Sequence, residues 1–154
     1  MKEYPQIETD RLILGKLSAS DIPKIVEYAG NIKIAQNTLN MPHPYEEKDA
    51  IFWINLANES FANKSAYVFG IRLKSTNEFM GGVGIRLTPR FNHADLGYWL
   101  GEPFWNNGYM TEAVKAVLEF GFITLDLHKI FATYLIENPA SGKVMYNNGM
   151  IKEA

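Results

Sequence analysis

Between Trp105 and Met110 the chain reads Trp-Asn-Asn-Gly-Tyr-Met, and from Met110 onward apolar residues recur at helical spacing. The first four N–H groups of a helix lack internal partners, and the summed peptide dipole leaves partial positive charge there. A tight turn at that point is therefore an anion site. Asn106, Asn107 and Gly108 suit the backbone angles that aim successive N–H groups at one point, and Gly108 lets a ligand approach the main chain. Phosphate is the expected guest, although Asn-Asn-Gly also serves as plain turn and capping chemistry. The chain contains no Gly-x-x-x-x-Gly-Lys-Ser/Thr and no Gly-x-Gly-x-x-Gly after a strand. That excludes the P-loop and dinucleotide modes of holding phosphate.

The elements that must position this turn follow from periodicity. Arg11 to Leu17 has the short apolar character of a strand, and a helix follows with Ser20 as its cap and Ile22, Ile25, Val26 and Ala29 on one face. A second helix carries Ala50, Trp53, Ile54, Ala57 and Phe61 on one face. Two strands flanking the polar turn 74–77 predict a hairpin, and His93 to Gly101 a third consecutive strand. On that strand, period-2 alternation puts Asp95 with Gly97 and Trp99, opposite Leu96, Tyr98 and Leu100. After the helix that opens at the turn come a strand and a last helix, with Asn138 as N-cap, Pro139 at its first position and Gly149 as its stop. The predicted order is β-α-α-β-β-β-α-β-α, a mixed α+β (α/β) chain.

With 154 residues, 47% of them apolar and 21% charged, the chain suits one domain, 1–154, with its own core. A net charge of -2 offers no general attraction for nucleic acid or anionic membrane, so neither is an expected partner. The absence of cysteine removes thiol catalysis, Cys-based zinc sites and disulfides. No metal is expected. No apolar leader or membrane-length run occurs, which predicts a cytoplasmic protein.

The stretch from Gly97 to Phe122 resembles the coenzyme A loop and helix of the GNAT (Gcn5-related N-acetyltransferase) superfamily, and is most similar to its Rim-type ribosomal-protein acetyltransferases. The stretches around Ile7 to Leu14, Met41 to Ile54, Ser75 to Ile85, His93 to Gly101 and Asn138 to Met150 resemble that group in the same order. The resemblance implies the GNAT fold, a mixed and mostly antiparallel sheet flanked by helices. It also implies transfer of an acetyl group from acetyl-coenzyme A (acetyl-CoA) to a primary amine. The acceptor stays open between a protein N-terminal α-amine and a small-molecule amine, and a catalytically inert acyl-coenzyme A-binding module is the alternative.

Carried over by position, the resemblance assigns coenzyme contacts to Trp99, Leu100, Trp105, Asn106, Asn107, Gly108, Tyr109, Met110, Thr111, Asn138, Ser141 and Lys143. Leu100 N–H is the expected donor to the thioester carbonyl. Asp95 is the candidate general base, directly or through water, provided burial raises its pKa; His93 is a weaker candidate, and His43 and Glu47 are candidate substrate contacts. Met110 stands where the superfamily has a small residue, which would tighten the pyrophosphate pocket. Met145 stands where many members carry the tyrosine that protonates the leaving thiolate, with Tyr146 turned about 100° away. Ser141 is the candidate donor instead. A thiol with a pKa near ~8.5 can also be protonated by solvent. The superfamily fold continues with two further strands that this sequence lacks, so a truncated C-terminus is expected. Its open sheet edge would invite pairing with a second copy, a homodimer.

Overall fold

A computed structural model describes residues 3–31, 44–132 and 139–150, with the backbone alone for 139–142. Six strands form one sheet in chain order: β1 (Ile7–Glu8), β2 (Leu12–Gly15), β3 (Ala66–Leu73), β4 (Phe79–Thr88), β5 (His93–Leu100) and β6 (Lys129–Ala132). Every neighbouring pair is antiparallel except β5 and β6. Four helices complete the described elements: α1 (Ile22–Ala29), α2 (Glu47–Ala62), α3 (Tyr109–Glu119) and α4 (Pro139–Asn147). The expected β-α-α-β-β-β-α-β-α order holds, with the two-residue β1 added at the sheet edge. The hairpin and meander expected in the middle are β3 to β5. Parallel pairing of β5 with β6 is possible because α3 intervenes and returns the chain to the same end of the sheet.

The sheet separates two cores. On one side Leu14, Phe69, Ile71, Val83 and Ile85 pack with Ala113, Val114 and Val117, all nearly or fully buried. On the other, α1 and α2 contribute Ile25, Ala29, Ala50, Ile54 and Ala57, packed with Leu17 and Phe79. Alternation along the strands sorts side chains between these faces. The start of α1 differs from expectation: Ser20 does not cap it. A single 3-10 turn, Ala19–Asp21, precedes the helix, and Ser18 with Asp21 forms a capping box in which Ser18 N–H donates to Asp21 Oδ2 at 2.9 Å. Asp21 is buried and pairs with Arg72 of β3, which pins α1 to the sheet.

β2 pairs with β3 only as far as Gly15 opposite Gly70, so Val68 lies beyond the end of its neighbour. The Tyr4 hydroxyl completes the edge: it donates to the Val68 carbonyl and accepts from Val68 N–H at 3.2 Å. Burial lifts this phenol above the ordinary tyrosine range, more than the Val68 hydrogen bond lowers it, so it remains a protonated donor. Tyr4→Phe keeps the ring but removes the partner of both backbone groups. A loss of about 1–3 kcal/mol in unfolding free energy is expected, read from urea denaturation.

Candidate active site

The loop between β5 and α3 is built by its own side chains. Trp105 Nε1 donates to the Leu100 carbonyl at 2.8 Å, which ties the loop back to the end of β5. Asn107 Nδ2 donates to the carbonyls of Phe104 (3.2 Å) and Trp105 (3.0 Å). Asn106 and Gly108 adopt left-handed φ values of 65° and 75°; glycine takes this conformation without steric cost, and asparagine tolerates it. Gly108 is the N-cap of α3, and no side chain caps the helix. The first helical hydrogen bond runs from Glu112 N–H to the Gly108 carbonyl at 3.1 Å. The N–H groups of Tyr109, Met110 and Thr111 are therefore left without intrahelical acceptors, as an anion cradle requires.

The side chains of this loop are turned to other tasks. Met110 is buried in the core beneath α3, so it does not narrow the cradle as expected from its size. Its bulk is taken up on the opposite side of the helix from the exposed turn. Tyr109 lies under the Arg11 guanidinium, 4.4 Å from ring centroid to Cζ. Thr111 is half-buried, and its carbonyl accepts from Asn148 Nδ2 at 3.2 Å, which brings the end of α4 against the first turn of α3. What the loop offers a ligand is thus main-chain N–H.

The C-terminal end of β5 supplies the second component. Among the described residues β6 accompanies β5 from His93 opposite Lys129 to Leu96 opposite Ala132, and β5 runs on to Leu100. On the other edge of β5, Gly101 N–H donates to the Met80 carbonyl at 2.8 Å. Hydrogen-bonded pairs alternate along an antiparallel ladder, so Trp99 and Gly97 bond to β4 whereas Leu100 directs its N–H toward the β6 side. Leu100 N–H is therefore not used by the β4 ladder.

Asp95 lies on the face of the sheet covered by α1 and α2, as alternation requires. The burial expected for a general base is not met: the carboxylate is 55% exposed, and Arg86 Nη2 lies 3.8 Å away. The cause is the next position along that face. Gly97 is exposed, and a Cβ there would meet nothing within 4 Å, so no side chain covers Asp95 from that side. Beyond Gly97, Trp99 packs against Trp53 of α2 at 5.7 Å between centroids. His93 packs against Phe131 and His128 at the far end of the strand. Asp95, Gly97 and Trp99 thus line an open strip with an aromatic wall at one end.

Of the remaining expected site residues, Lys143 is exposed on α4. Ser141 falls within α4 with its side chain outside the described residues, and Asn138 and His43 lie outside them altogether. Met145 is buried and Tyr146 is 79% exposed, consistent with their separation around the helix. Among the described residues, no group of three or more His, Cys, Asp or Glu could hold a metal ion, and no helix is long and apolar enough to cross a membrane.

Sequence reasoning did not assign roles to Thr9, Arg11, Glu112 or Trp53. Glu112 Oε1 accepts from Arg11 Nε at 2.7 Å, and its Oε2 accepts from Arg11 N–H at 2.9 Å and from the Thr9 hydroxyl. No periodicity could have announced contacts spanning about a hundred residues.

An uncapped helix start behind a left-handed turn is an arrangement able to hold an anionic ligand such as a coenzyme phosphate. The sequence matches the acetyltransferase (GNAT) domain family over residues 11–151, and the chain belongs to that family. It is 31% identical over 149 residues to the uncharacterized N-acetyltransferase p20 of Bacillus licheniformis, covering 94% of this chain and 82% of that protein. It is 25% identical over 156 residues to the [ribosomal protein uS5]-alanine N-acetyltransferase of Escherichia coli (strain K12), covering 96% and 79%. A GNAT-family acetyltransferase structure from Bacillus anthracis matches with a TM-score of 0.84 at 26% identity, covering 97% of this chain and 86% of that one. The chain is an N-acetyltransferase that uses acetyl-CoA.

Two predictions follow from the geometry. Gly108→Asp adds a side chain at a left-handed φ that aspartate tolerates and brings a carboxylate to the cradle. Calorimetric titration should show coenzyme A affinity falling by about a hundredfold or more, while the cooperative melt persists. The second concerns pH. Burial pushes the Glu112 carboxyl up, but the hydrogen bonds from Thr9 and Arg11 and the Arg11 charge outweigh it and leave the pKa below the ordinary range. A depressed acid contributes stability that is present above its unfolded pKa, near ~4.3, and is lost as pH falls through the lower folded value. The difference in melting temperature between the wild type and Glu112→Gln should therefore narrow as pH falls below ~4.

Proposed function

We propose that this enzyme acetylates a protein N-terminal α-amine, with Asp95 as the base acting through water and Leu100 N–H polarising the acyl carbonyl. One observation carries the reading. The open strip over Gly97 lies between an acidic group and the strand end where Leu100 N–H points toward the β6 side. Acetyl-CoA supplies the acetyl group as a thioester. The N–H groups of Tyr109, Met110 and Thr111, with the turn Asn106 to Gly108, would hold its phosphates, and the Trp99–Leu100 end of β5 its acyl arm. Asn138, Ser141 and Lys143 are the further contacts proposed from α4 and its approach.

Strand geometry decides how Asp95 can act. Five residues at ~3.3 Å each put Asp95 about 16 Å from Leu100 along β5, too far for one amine to touch both. A proton leaving an ammonium at the Trp99–Leu100 end must pass through water along the strip over Gly97 to the Asp95 carboxylate, and the exposure of that carboxylate admits such water. An α-amine suits so modest an arrangement, because a pKa near ~8 leaves roughly a tenth of it as free base at neutral pH. Lysine, near ~10.4, leaves far less. On the leaving-group side, buried Met145 cannot donate a proton, so Ser141 or solvent is proposed to protonate the thiolate. The similarity to a uS5-alanine acetyltransferase supports an α-amine acceptor.

The test is an acetylation assay with a short peptide bearing a free N-terminal alanine, its N-terminally blocked counterpart with an internal lysine, and spermidine. Turnover of the first alone is expected; turnover of spermidine alone would overturn the α-amine assignment. Asp95→Asn should lower kcat by about 10²-fold or more while leaving coenzyme A affinity unchanged. Undiminished turnover would remove Asp95 from the role of base.

A further inference from the structure

We propose that Arg11, at the entrance to β2, is a positioning residue for the coenzyme loop. Held by Glu112 and stacked on Tyr109, it fixes the Asn107–Gly108 peptide plane so that the Gly108 N–H is aimed for the incoming phosphate. The proposal rests on the reading of the 106–111 turn as the coenzyme site.

Arg11 Nη1 donates to the Asn107 carbonyl at 2.9 Å. A trans peptide is planar, and its C=O and N–H point in opposite directions. Drawing the Asn107 oxygen toward β2 therefore turns the Gly108 N–H away from β2, on the outer side of the loop. The guanidinium is itself held from two further directions. Nε is paired to Glu112 at 2.7 Å, and Cζ lies over the Tyr109 ring, 4.4 Å from its centroid. The Arg11 backbone N–H and the Thr9 hydroxyl engage the other Glu112 oxygen, so the carboxylate is gripped by three donors from one short segment. Nη2 approaches to 3.5 Å of where a Gly108 Cβ would stand, which puts the guanidinium against the N-cap itself.

This arrangement meets a need that the loop creates. Asn106 and Gly108 both sit at positive φ, and no side chain caps α3. Without an external hold the turn would sample other peptide orientations, and each reorientation would redirect an N–H that the ligand needs. The grip also settles an electrostatic conflict. Glu112 lies in the first turn of α3, where a bare carboxylate would repel a phosphate at the same helix end. Pairing with Arg11 neutralises it. Lysine could not replace this residue, since one ammonium cannot lie flat on Tyr109 while donating in fixed directions to both Glu112 and Asn107.

The test compares the wild type with Arg11→Ala and Arg11→Lys, using ¹⁵N relaxation of the free protein and calorimetric titration with coenzyme A. In Arg11→Ala the Gly108 amide order parameter should fall from about 0.85 to below about 0.6, with the rest of α3 unchanged. Coenzyme A affinity should drop about tenfold. At saturating coenzyme, kcat should stay near the wild-type value while KM for acetyl-CoA rises. Arg11→Lys should recover less than half of the affinity loss, on a free-energy scale, and guards against loss of the fold. Unchanged affinity overturns the proposal. So does an affinity loss with the Gly108 amide as rigid as before, since Arg11 would then act by touching the ligand. Failure of the wild type to bind coenzyme A would sink the reading of the loop itself, while the relaxation comparison still decides whether Arg11 holds it.

Discussion

A helix start can hold an anion only if its N–H groups are both unused and immobile, and those two demands pull against each other. Protein groups that would immobilise the end by hydrogen bonding to it would also occupy it. In this chain the conflict is resolved by gripping carbonyls in place of amides. Trp105 bonds to the Leu100 oxygen, Asn107 to the oxygens of Phe104 and Trp105, Arg11 to the oxygen of Asn107, and Asn148 to the oxygen of Thr111. Each contact fixes a peptide plane from its carbonyl side, and in the Asn107–Gly108 plane this turns the Gly108 N–H away from β2. The loop is thus held through its carbonyls, while the N–H groups of Tyr109, Met110 and Thr111 stay without intrahelical acceptors.

On the proposed reading, the sheet keeps the two reactants on different surfaces. The face toward α3 is a closed aliphatic core that seats the loop and helix. The face toward α1 and α2 contains the open strip at Gly97. β5 serves both, since its odd-numbered residues look one way and its even-numbered residues the other. Under the proposed function the Trp99–Leu100 end of β5 is where the two reactants would meet, each reaching it from its own side of the sheet.

Much of this was legible in the chain because it is written locally. The turn residues Asn106, Asn107 and Gly108, the alternation along β5 and the helical spacing in α3 each depend on neighbours within a few positions, and each leaves a pattern. The resemblance of six separated stretches supplied the fold. Two features escaped for a common reason. The Arg11–Glu112 grip and the Tyr4 hydroxyl on Val68 are fixed by residues far apart in sequence, and no short window contains both members. Asp95 is instructive. Its face was given by alternation, but its burial depended on what α2 covers and on Gly97 having no side chain. The cap of α1 failed at shorter range, because Ser18 and Ser20 are both chemically suited and the intervening 3-10 turn chose between them.

The contact between Gly82 and Trp53 has a mechanical consequence. A Cβ at Gly82 would lie 2.6 Å from the Trp53 ring, so the indole rests directly on the backbone of β4 with no cushion beneath it. Its neighbour Trp99 leans on the same ring and on Phe79, which is buried. A ligand pressing on this wall meets a floor that cannot yield. The displacement must travel into α2, whose outer face carries Ile51, Phe52 and Leu56 at 42%, 68% and 47% exposure with little packed against them. The strip thus combines a stiff base with a compliant side, and if it takes the acceptor as proposed, the range of sizes it admits would be set by how far one helix can slide over an unmoved strand.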